Sequence, residues 1–165
     1  FQAFKQYQIA GEEIDLSAEF SILQRIFDGV SLLGDYNDKI KDHTMAQGEV
    51  LSAKFISYLL RKRGVKAAFA DSRHFYVTDS HFGNAQLVED SSAKSTIQYF
   101  TQIPKDVTPI VTGFIAANAS GETTTLGRNG SNYSASILAS ILEAEELQNY
   151  THVDGIFTAR TGTRC

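Results

Sequence analysis

The chain has 165 residues, with 15 lysines and arginines against 19 aspartates and glutamates, so its formal charge is -4. This length predicts one domain with a core of its own. The acidic balance argues against a nucleic-acid-binding protein, and no apolar run approaches the ~20 residues of a membrane-spanning helix. The single cysteine, Cys165, excludes disulfide scaffolds and cysteine-based zinc sites. We therefore expect a cytoplasmic protein without nucleic-acid or membrane partners. Because the sequence begins with Phe1 rather than Met, we also expect that upstream residues are missing or were removed by processing.

The first half of the chain is predicted to be mainly helical. Apolar residues recur at spacings of three and four between Leu16 and Leu33, and Gly34 then provides a stop. A second helix is expected from Asn37 to Arg63. Its later part, residues 50–60, is apolar on nearly every side, which predicts that it is well buried.

Strands and helices alternate in the second half. The expected elements are a strand at 65–70, an irregular stretch at 71–90, a surface helix at 91–103 with Ile97 and Phe100 on one face, a central strand at 108–117, a hairpin strand at 122–126, an amphipathic helix at 131–145 and a strand at 147–151. Such alternation indicates an α/β sandwich with a largely parallel sheet. Ligands of such sheets bind beyond the carboxyl ends of the strands, which here are residues 71–72, 113–115, 127–131 and 151–155.

The strongest local signal is the segment TTTLGRNGSNYS at 123–134, in which a strand runs into a glycine-bearing loop and then into a helix. Free N–H groups at a helix N-terminus suit an anion, and the Arg128 guanidinium can hold a carboxylate by two hydrogen bonds. Gly127 lets the backbone approach a ligand. The structural alternative, which the spacing alone favours, is a tight turn with Ser131 or Asn132 as the N-cap.

A second signal is Glu49, a charged residue beside strongly apolar positions of the second helix. A carboxylate that is buried or half-buried there needs a partner. An internal lysine or arginine is one candidate, and it is the one favoured by the sequence alone. The ammonium group of a ligand is the other.

The remaining polar motifs are weaker. Residues 151–158, THVDGIFT, follow a predicted strand and form a turn in which Phe157 could stack on a flat ring, although most such turns are only turns. The histidines show no metal-ligand spacing, and no Ser-His-Asp pattern is present.

Five segments carry a resemblance to a known family: VSLLG at 30–34, GE at 48–49, GFI at 113–115, TTTLGRNGS at 123–131 and VDGIFT at 153–158. In this order and at about these spacings, they resemble the aspartokinase family of the amino-acid kinase superfamily, over roughly residues 14–159. The VSLLG segment is most similar to the bifunctional aspartokinase–homoserine dehydrogenases.

The resemblance implies a three-layer αβα sandwich with a largely parallel sheet, the amino-acid kinase fold, truncated at both ends. Residues 1–165 would form one partial kinase domain, with a mainly helical part at 1–64 and a sheet-bearing part at 65–159. The implied reaction transfers the γ-phosphoryl group of ATP, bound with Mg²⁺, to the side-chain carboxylate of L-aspartate. The product leads to threonine, methionine and lysine.

Residue roles also follow from the resemblance. The implied substrate-binding residues are Glu49 for the amino group of aspartate, Arg128 for a carboxylate, and Gly127 and Ser131 for placing the substrate. Asn132 stands at the catalytic position where the family usually has Asp. The implied nucleotide-binding residues are Thr151, His152, Asp154 and Phe157. No protein ligand for a metal is implied.

The sequence also departs from the family. It lacks the opening strand with its Lys-Phe-Gly-Gly loop, the regulatory ACT domains and a dehydrogenase domain, and Arg160-Thr161-Gly162 replaces Asp-Pro-Arg. We therefore expect a piece of an aspartokinase that alone catalyses little and whose unpaired strand edges favour a homo-oligomer. Two alternatives stay open: an inactive module that only binds aspartate or nucleotide, and a fragment that only oligomerises.

Overall fold

The computed structural model describes residues 14–150. Within them, the helices are α1 (Ser17–Leu33), α2 (Asp38–Lys62), α3 (Glu89–Thr101) and α4 (Gly130–Ile141). The strands are β1 (Ala67–Ala70), β2 (Val77–Thr78), β3 (Thr108–Val111), β4 (Ile115–Asn118) and β5 (Thr123–Thr125), and a 3₁₀ turn covers Ser72–His74.

The ends of the two long helices confirm their prediction from sequence. Helix α1 ends at Gly34, which adopts a left-handed conformation and donates its N–H to the carbonyl of Val30. Helix α2 begins after Asn37, whose side-chain oxygen accepts the N–H of Ile40 at 3.0 Å. The burial predicted for residues 50–60 is only partial, because Ile56 is 45% exposed.

The strands pair mainly in parallel, as predicted. Strand β1 runs parallel to β3, with Ala67 opposite Thr108, and β2 runs parallel to β4. Strands β4 and β5 form the expected antiparallel hairpin, with Ile115 opposite Thr125. Strand β2 was not predicted, because a two-residue strand is too short to show a period.

The prediction of one continuous central strand at 108–117 is wrong. The segment is split into β3 and β4, which belong to two different small sheets, of two and three strands. The break lies at Phe114, whose φ of 69° cannot continue a strand. Periodicity missed this break because the whole segment is apolar. The strand predicted at 147–151 is also not formed at its described positions, 147–150.

Different helices pack against the two faces of the sheet region. On one face Ile115 packs with Ala46 and Val50 of α2. On the other face the next residue, Ala116, packs with Phe75 and Tyr76, and α3 and α4 cover this second cluster. Because successive strand residues point to opposite faces, β4 divides the core into two. This arrangement confirms the expected α/β sandwich.

Helix α3 differs from its prediction in the face that it buries. Ile97, expected beside Phe100, is 52% exposed. Tyr99 takes its place and forms an aromatic cluster with Phe100 and Phe75, with ring centroids 4.9–5.5 Å apart. Aromatic packing therefore selected a slightly different rotation of the helix.

None of the helices described in residues 14–150 is both long and apolar enough to cross a membrane.

The two small sheets are joined by the side chain of Ser72, which is fully buried. Its hydroxyl lies 2.6 Å from the carbonyl oxygen of Ile115 and 2.8 Å from Oγ1 of Thr112, and its N–H also donates to Thr112. A hydroxyl here connects the end of β1 to the segment between β3 and β4.

We predict that Ser72→Ala lowers the free energy of unfolding by about 1–3 kcal/mol, because buried partners lose their hydrogen bonds. Ser136→Ala is the matched control, since its hydroxyl bonds only within the exposed face of α4; we expect a change within about 0.5 kcal/mol. Equal urea midpoints for the two variants would contradict this role of Ser72.

Candidate functional site

Three separate segments meet around a cavity of about 280 Å³. Helix α2 contributes Glu49, the turn between β3 and β4 contributes Gly113, and the first turn of α4 contributes Ser131. The other lining residues are Tyr76, Val111, Thr112, Ser134, Ala135 and Leu138. Two of the four strand ends predicted to bind a ligand therefore share one cavity with the carboxylate singled out on α2.

Glu49 lies half-buried at this cavity and has no hydrogen bond or ion pair with any residue of 14–150. Lys54, a cation farther along the same helix, instead pairs with Glu19 of α1 at 2.5 Å. Burial raises the pKa of the Glu49 carboxyl above its ordinary value, and no cation within residues 14–150 opposes the shift. Of the two partners left open by the sequence, the internal cation is absent from the described residues.

The turn at 113–115 is tight and strained. The N–H of Ile115 donates to the carbonyl of Gly113 at 2.8 Å, which closes a three-residue turn around Phe114. A positive φ in a bulky residue is unfavourable and persists only where the surroundings hold it. Here the N–H of Phe114 donates to Oγ of Ser134 at 3.2 Å, and its carbonyl accepts the N–H of Leu126 at 2.9 Å.

The close contact between this turn and α4 requires glycine at position 113. A Cβ atom there would lie 3.1 Å from both Cβ and Oγ of Ser131 and 3.2 Å from its Cα. The backbone of the turn can therefore rest directly against the first turn of α4. Gly127, with φ of 72°, has a similar role, since a Cβ there would overlap Oδ1 of Asn84.

Helix α4 begins without a side-chain cap. Its N-cap is Asn129, with φ of 59° and no side-chain hydrogen bond, so the alternative that made Ser131 or Asn132 the N-cap is wrong. No group in residues 14–150 accepts the N–H of Ser131 or Asn132. These donors and the positive end of the helix dipole are therefore free to bind an anion.

Arg128 and Asn132 flank this helix start, and both side chains are exposed. Neither lines the cavity. Within the described part of the chain, Arg128 has no hydrogen bond or ion pair that would tie up its guanidinium. It thus stands as an uncommitted cation in the loop that leads into the helix.

The strand end at 71–72 is occupied by internal contacts. Burial would raise the pKa of the Asp71 carboxyl, but the hydrogen bonds and charge of Arg73 outweigh burial and lower it. Arg73 holds both carboxylate oxygens of Asp71, with 2.6 Å from Nη2 to Oδ2. This pair leaves no free charge for a ligand.

Four predicted nucleotide-binding residues, Thr151, His152, Asp154 and Phe157, lie outside the described residues, as does the tail at 160–165. Among residues 14–150 no group of three or more histidine, cysteine, aspartate or glutamate side chains is arranged to hold a metal ion.

Sequence reasoning missed Asp42, a carboxylate on α2 with no exposed surface. Its oxygens accept hydrogen bonds from Gly83, in the segment before α3, and from Thr125, the last residue of β5. The one available signal was its position seven residues before Glu49, which places both carboxylates on the same face of a helix.

Comparison with known proteins gives a consistent picture. Residues 5–164 match the sequence profile of the amino acid kinase family. The chain is 32% identical over 158 residues to bifunctional aspartokinase/homoserine dehydrogenase 1 of Zea mays, covering 92% of this chain and 17% of the maize protein. It is 31% identical over 143 residues to lysine-sensitive aspartokinase 3 of Escherichia coli K12, covering 82% of this chain and 31% of that protein.

Solved structures agree. The crystal structure of E. coli aspartokinase III in complex with aspartate and ADP superposes with a TM-score of 0.73 at 28% identity, over 78% of this chain and 28% of that one. The complex of the same enzyme with lysine and aspartate gives a TM-score of 0.67. The chain therefore spans less than a third of the length of these relatives.

The half-buried Glu49 carboxylate is expected to lower the stability of the fold near neutral pH. Since burial raises its pKa in the folded state, ionisation opposes folding above that pKa, and the penalty disappears below the unfolded value of about 4.3. We predict that Glu49→Gln is more stable than the unchanged chain at about pH 7 and equally stable at about pH 3.5.

Urea denaturation at both pH values measures this difference. Glu145→Gln serves as the control, because Glu145 is exposed; we expect no pH-dependent gain there. A Glu49→Gln variant that is less stable near neutral pH would mean that Glu49 has an internal counter-ion.

Proposed function

Because the chain belongs to the amino acid kinase family, we propose that it forms the aspartate-binding part of an aspartate kinase. The reaction is transfer of the γ-phosphoryl group of ATP to the side-chain carboxylate of L-aspartate. The observation that carries the proposal is a pair of opposite charges near the uncapped start of α4, neither of which has a partner among residues 14–150: Glu49, which shares the cavity with Ser131, and Arg128, in the loop that enters the helix. The two alternatives, an inactive module and a fragment that only oligomerises, are not favoured, because the matched relatives are kinases.

The charges of the site complement those of free aspartate. This amino acid carries one ammonium and two carboxylate groups. The Glu49 carboxylate is an acceptor for the ammonium, and its partial burial strengthens that contact because less water competes there than at the surface. The Arg128 guanidinium and the free N–H groups of α4 suit the carboxylates. Ser131, on the cavity wall, and Gly127, in the loop, place the substrate between them.

The reaction requires mainly that the aspartate carboxylate and the γ-phosphoryl group of ATP be positioned correctly. An oxygen of the aspartate side-chain carboxylate forms a bond to the γ-phosphorus, the bond from that phosphorus to the β–γ bridging oxygen breaks, and ADP leaves. The attacking carboxylate is already ionised at neutral pH, because its ordinary pKa is about 3.9, so no general base is needed. A neutral amide at Asn132 is therefore compatible with catalysis, because it would serve as a hydrogen-bond donor to the phosphoryl oxygens.

The nucleotide side of the proposal rests on residues outside the described range. Thr151, His152, Asp154 and Phe157 would bind ATP, which arrives with Mg²⁺ as part of the substrate complex. The ADP complex of E. coli aspartokinase III supports a nucleotide substrate. Phospho-aspartate would then feed the synthesis of threonine, methionine and lysine, in the cytoplasm.

We also propose a homo-oligomer. Among the described residues, β3 pairs with a strand on one side only, and Ile110 and Val111 on it are only partly buried. Leu32, at the end of α1, is 85% exposed. Light scattering of the purified protein measures the oligomeric state, and a monomer at micromolar concentration would contradict this part.

The central test is aspartate-dependent ADP release in the protein expressed from its complete reading frame. We predict that Arg128→Ala lowers kcat/KM for aspartate about 10- to 100-fold, since a charge-assisted contact contributes about 1.5–3 kcal/mol. Arg128→Lys should also lower kcat/KM for aspartate, because an ammonium cannot reproduce the two parallel hydrogen bonds of a guanidinium.

The matched control for these variants is Arg25→Ala, because Arg25 is exposed on α1, away from the cavity. It should leave kcat/KM unchanged. Full activity of Arg128→Ala would remove Arg128 from the substrate site, and full activity of Arg128→Lys would reduce its role to that of a point charge.

A second prediction tests whether Glu49 binds the ammonium group of aspartate. Succinate has the two carboxylates of aspartate without the ammonium group. We predict that the unchanged protein binds aspartate about tenfold or more tightly than succinate, and that Glu49→Gln reduces this ratio to about one.

Isothermal titration with the two ligands measures this ratio. Glu145→Gln, on an exposed segment, should keep the discrimination. If Glu49→Gln still prefers aspartate as strongly as the unchanged protein, the ammonium binds elsewhere.

A further inference from the structure

Asp42 is a fully buried carboxylate that links three segments of the chain. Its Oδ2 accepts the N–H of Gly83 at 2.8 Å and the N–H of Thr125 at 3.0 Å. Its Oδ1 accepts the hydroxyl of Thr125 at 2.7 Å. Three donors thus satisfy a charge that would otherwise be costly to bury.

The position of Asp42 on α2 relates it directly to Glu49. Seven residues separate them, which is about two helical turns and about 10 Å along the axis. Both therefore lie on one face of a rigid helix, with Asp42 at the β5 end and Glu49 at the cavity. The hydrogen bonds that fix the position of Asp42 therefore also restrict the position of Glu49.

Thr125, the partner of Asp42 on β5, leads directly into the loop of the candidate site. Thr125 is the last residue of β5 and lies three residues before Arg128. Its carbonyl accepts the N–H of Ala85 at 2.8 Å, and the neighbouring Asn84 packs against Gly127. Asp42 and the segment 83–85 therefore hold both the N–H and the carbonyl of Thr125 as the chain leaves the strand.

We propose that Asp42 is a positioning residue that sets the separation between the ammonium end of the substrate site, at Glu49, and the carboxylate end, at Arg128 and Ser131. This role rests on the aspartate-binding function proposed above. Asp42 does not line the cavity, and it acts through the helix and the strand that it joins. A ligand held at both ends is sensitive to such a separation, because an error of about 1 Å can lower the rate ~100-fold.

The hydrogen bonds around Asp42 suggest a graded series of variants. Asparagine can keep all three contacts: its Oδ1 accepts the two N–H groups, and its amide donates to the Thr125 hydroxyl, which can act as an acceptor. Alanine removes all three. Thr125→Val removes only the hydroxyl contact and preserves the shape of the side chain.

The experiment measures kcat and the KM values for aspartate and for Mg-ATP in the protein expressed from its complete reading frame. For Asp42→Ala we expect the KM for aspartate to rise about tenfold or more, and the KM for ATP to change less than about twofold. Thr125→Val should give a smaller rise in the same constant, and Asp42→Asn should restore it to within about threefold.

Glu19→Ala is the matched control. Glu19 is also a buried carboxylate that anchors α2, through Lys54, but it lies on α1 and does not line the cavity. We expect it to lower the urea midpoint without changing the KM for aspartate. A purely structural role for Asp42 would make the two alanine variants behave alike, and that result would overturn the proposal.

The outcomes also separate this proposal from the proposed function. No aspartate-dependent ADP release by the unchanged protein would overturn the kinase function and the positioning role with it. An active protein in which Thr125→Val keeps the original KM for aspartate would overturn only the positioning role. If Asp42→Ala does not fold, Thr125→Val and Asp42→Asn still decide the question, because both preserve most of the contacts.

Discussion

The contact between the β3–β4 turn and the first turn of α4 is the constraint on which the candidate site depends. Phe114 takes a positive φ there; its N–H donates to Oγ of Ser134 and its carbonyl accepts the N–H of Leu126, and these hydrogen bonds hold it. Because of this turn, the two halves of an apolar segment enter different sheets, and a cavity opens beside α4. The absence of a side chain at Gly113 lets the turn lie against Ser131. The strain of the turn is thus coupled to the geometry of the cavity.

Two charges near this contact lack the cationic or anionic partners that some side chains have elsewhere. In the described structure four carboxylates have cationic partners, in the pairs Lys39–Glu122, Lys54–Glu19, Lys66–Asp106 and Arg73–Asp71. Glu49 has none within residues 14–150, and neither does Arg128. An unpaired, half-buried charge opposes folding, so its presence is better explained by a ligand than by the needs of the fold.

The three threonines of β5 connect this region to the rest of the molecule. Thr123 accepts a hydrogen bond from Arg73, Thr124 shares one with Thr78 of β2, and Thr125 donates one to Asp42 of α2. Each hydroxyl therefore joins the strand to a different element. Such a strand is held in one register by directional bonds, whereas an apolar strand of the same length could slip. Because the register of β5 is fixed, the starting position of the loop that follows β5 is fixed as well.

The helices, the alternation of elements, the largely parallel sheet and the family resemblance were all predictable from the amino-acid sequence, because helix caps, short apolar runs and the TTTLGR segment are local signals. The sequence also identified Glu49 and the 127–131 loop as candidates, but not the absence of an internal cation near Glu49. Three features became visible only in the folded chain: the break at Phe114, the packing of Tyr99 in place of Ile97, and the role of Asp42 as a link. Each of these depends on contacts between residues distant in the chain, and apolar periodicity carries no information about which distant backbone groups a buried side chain will meet.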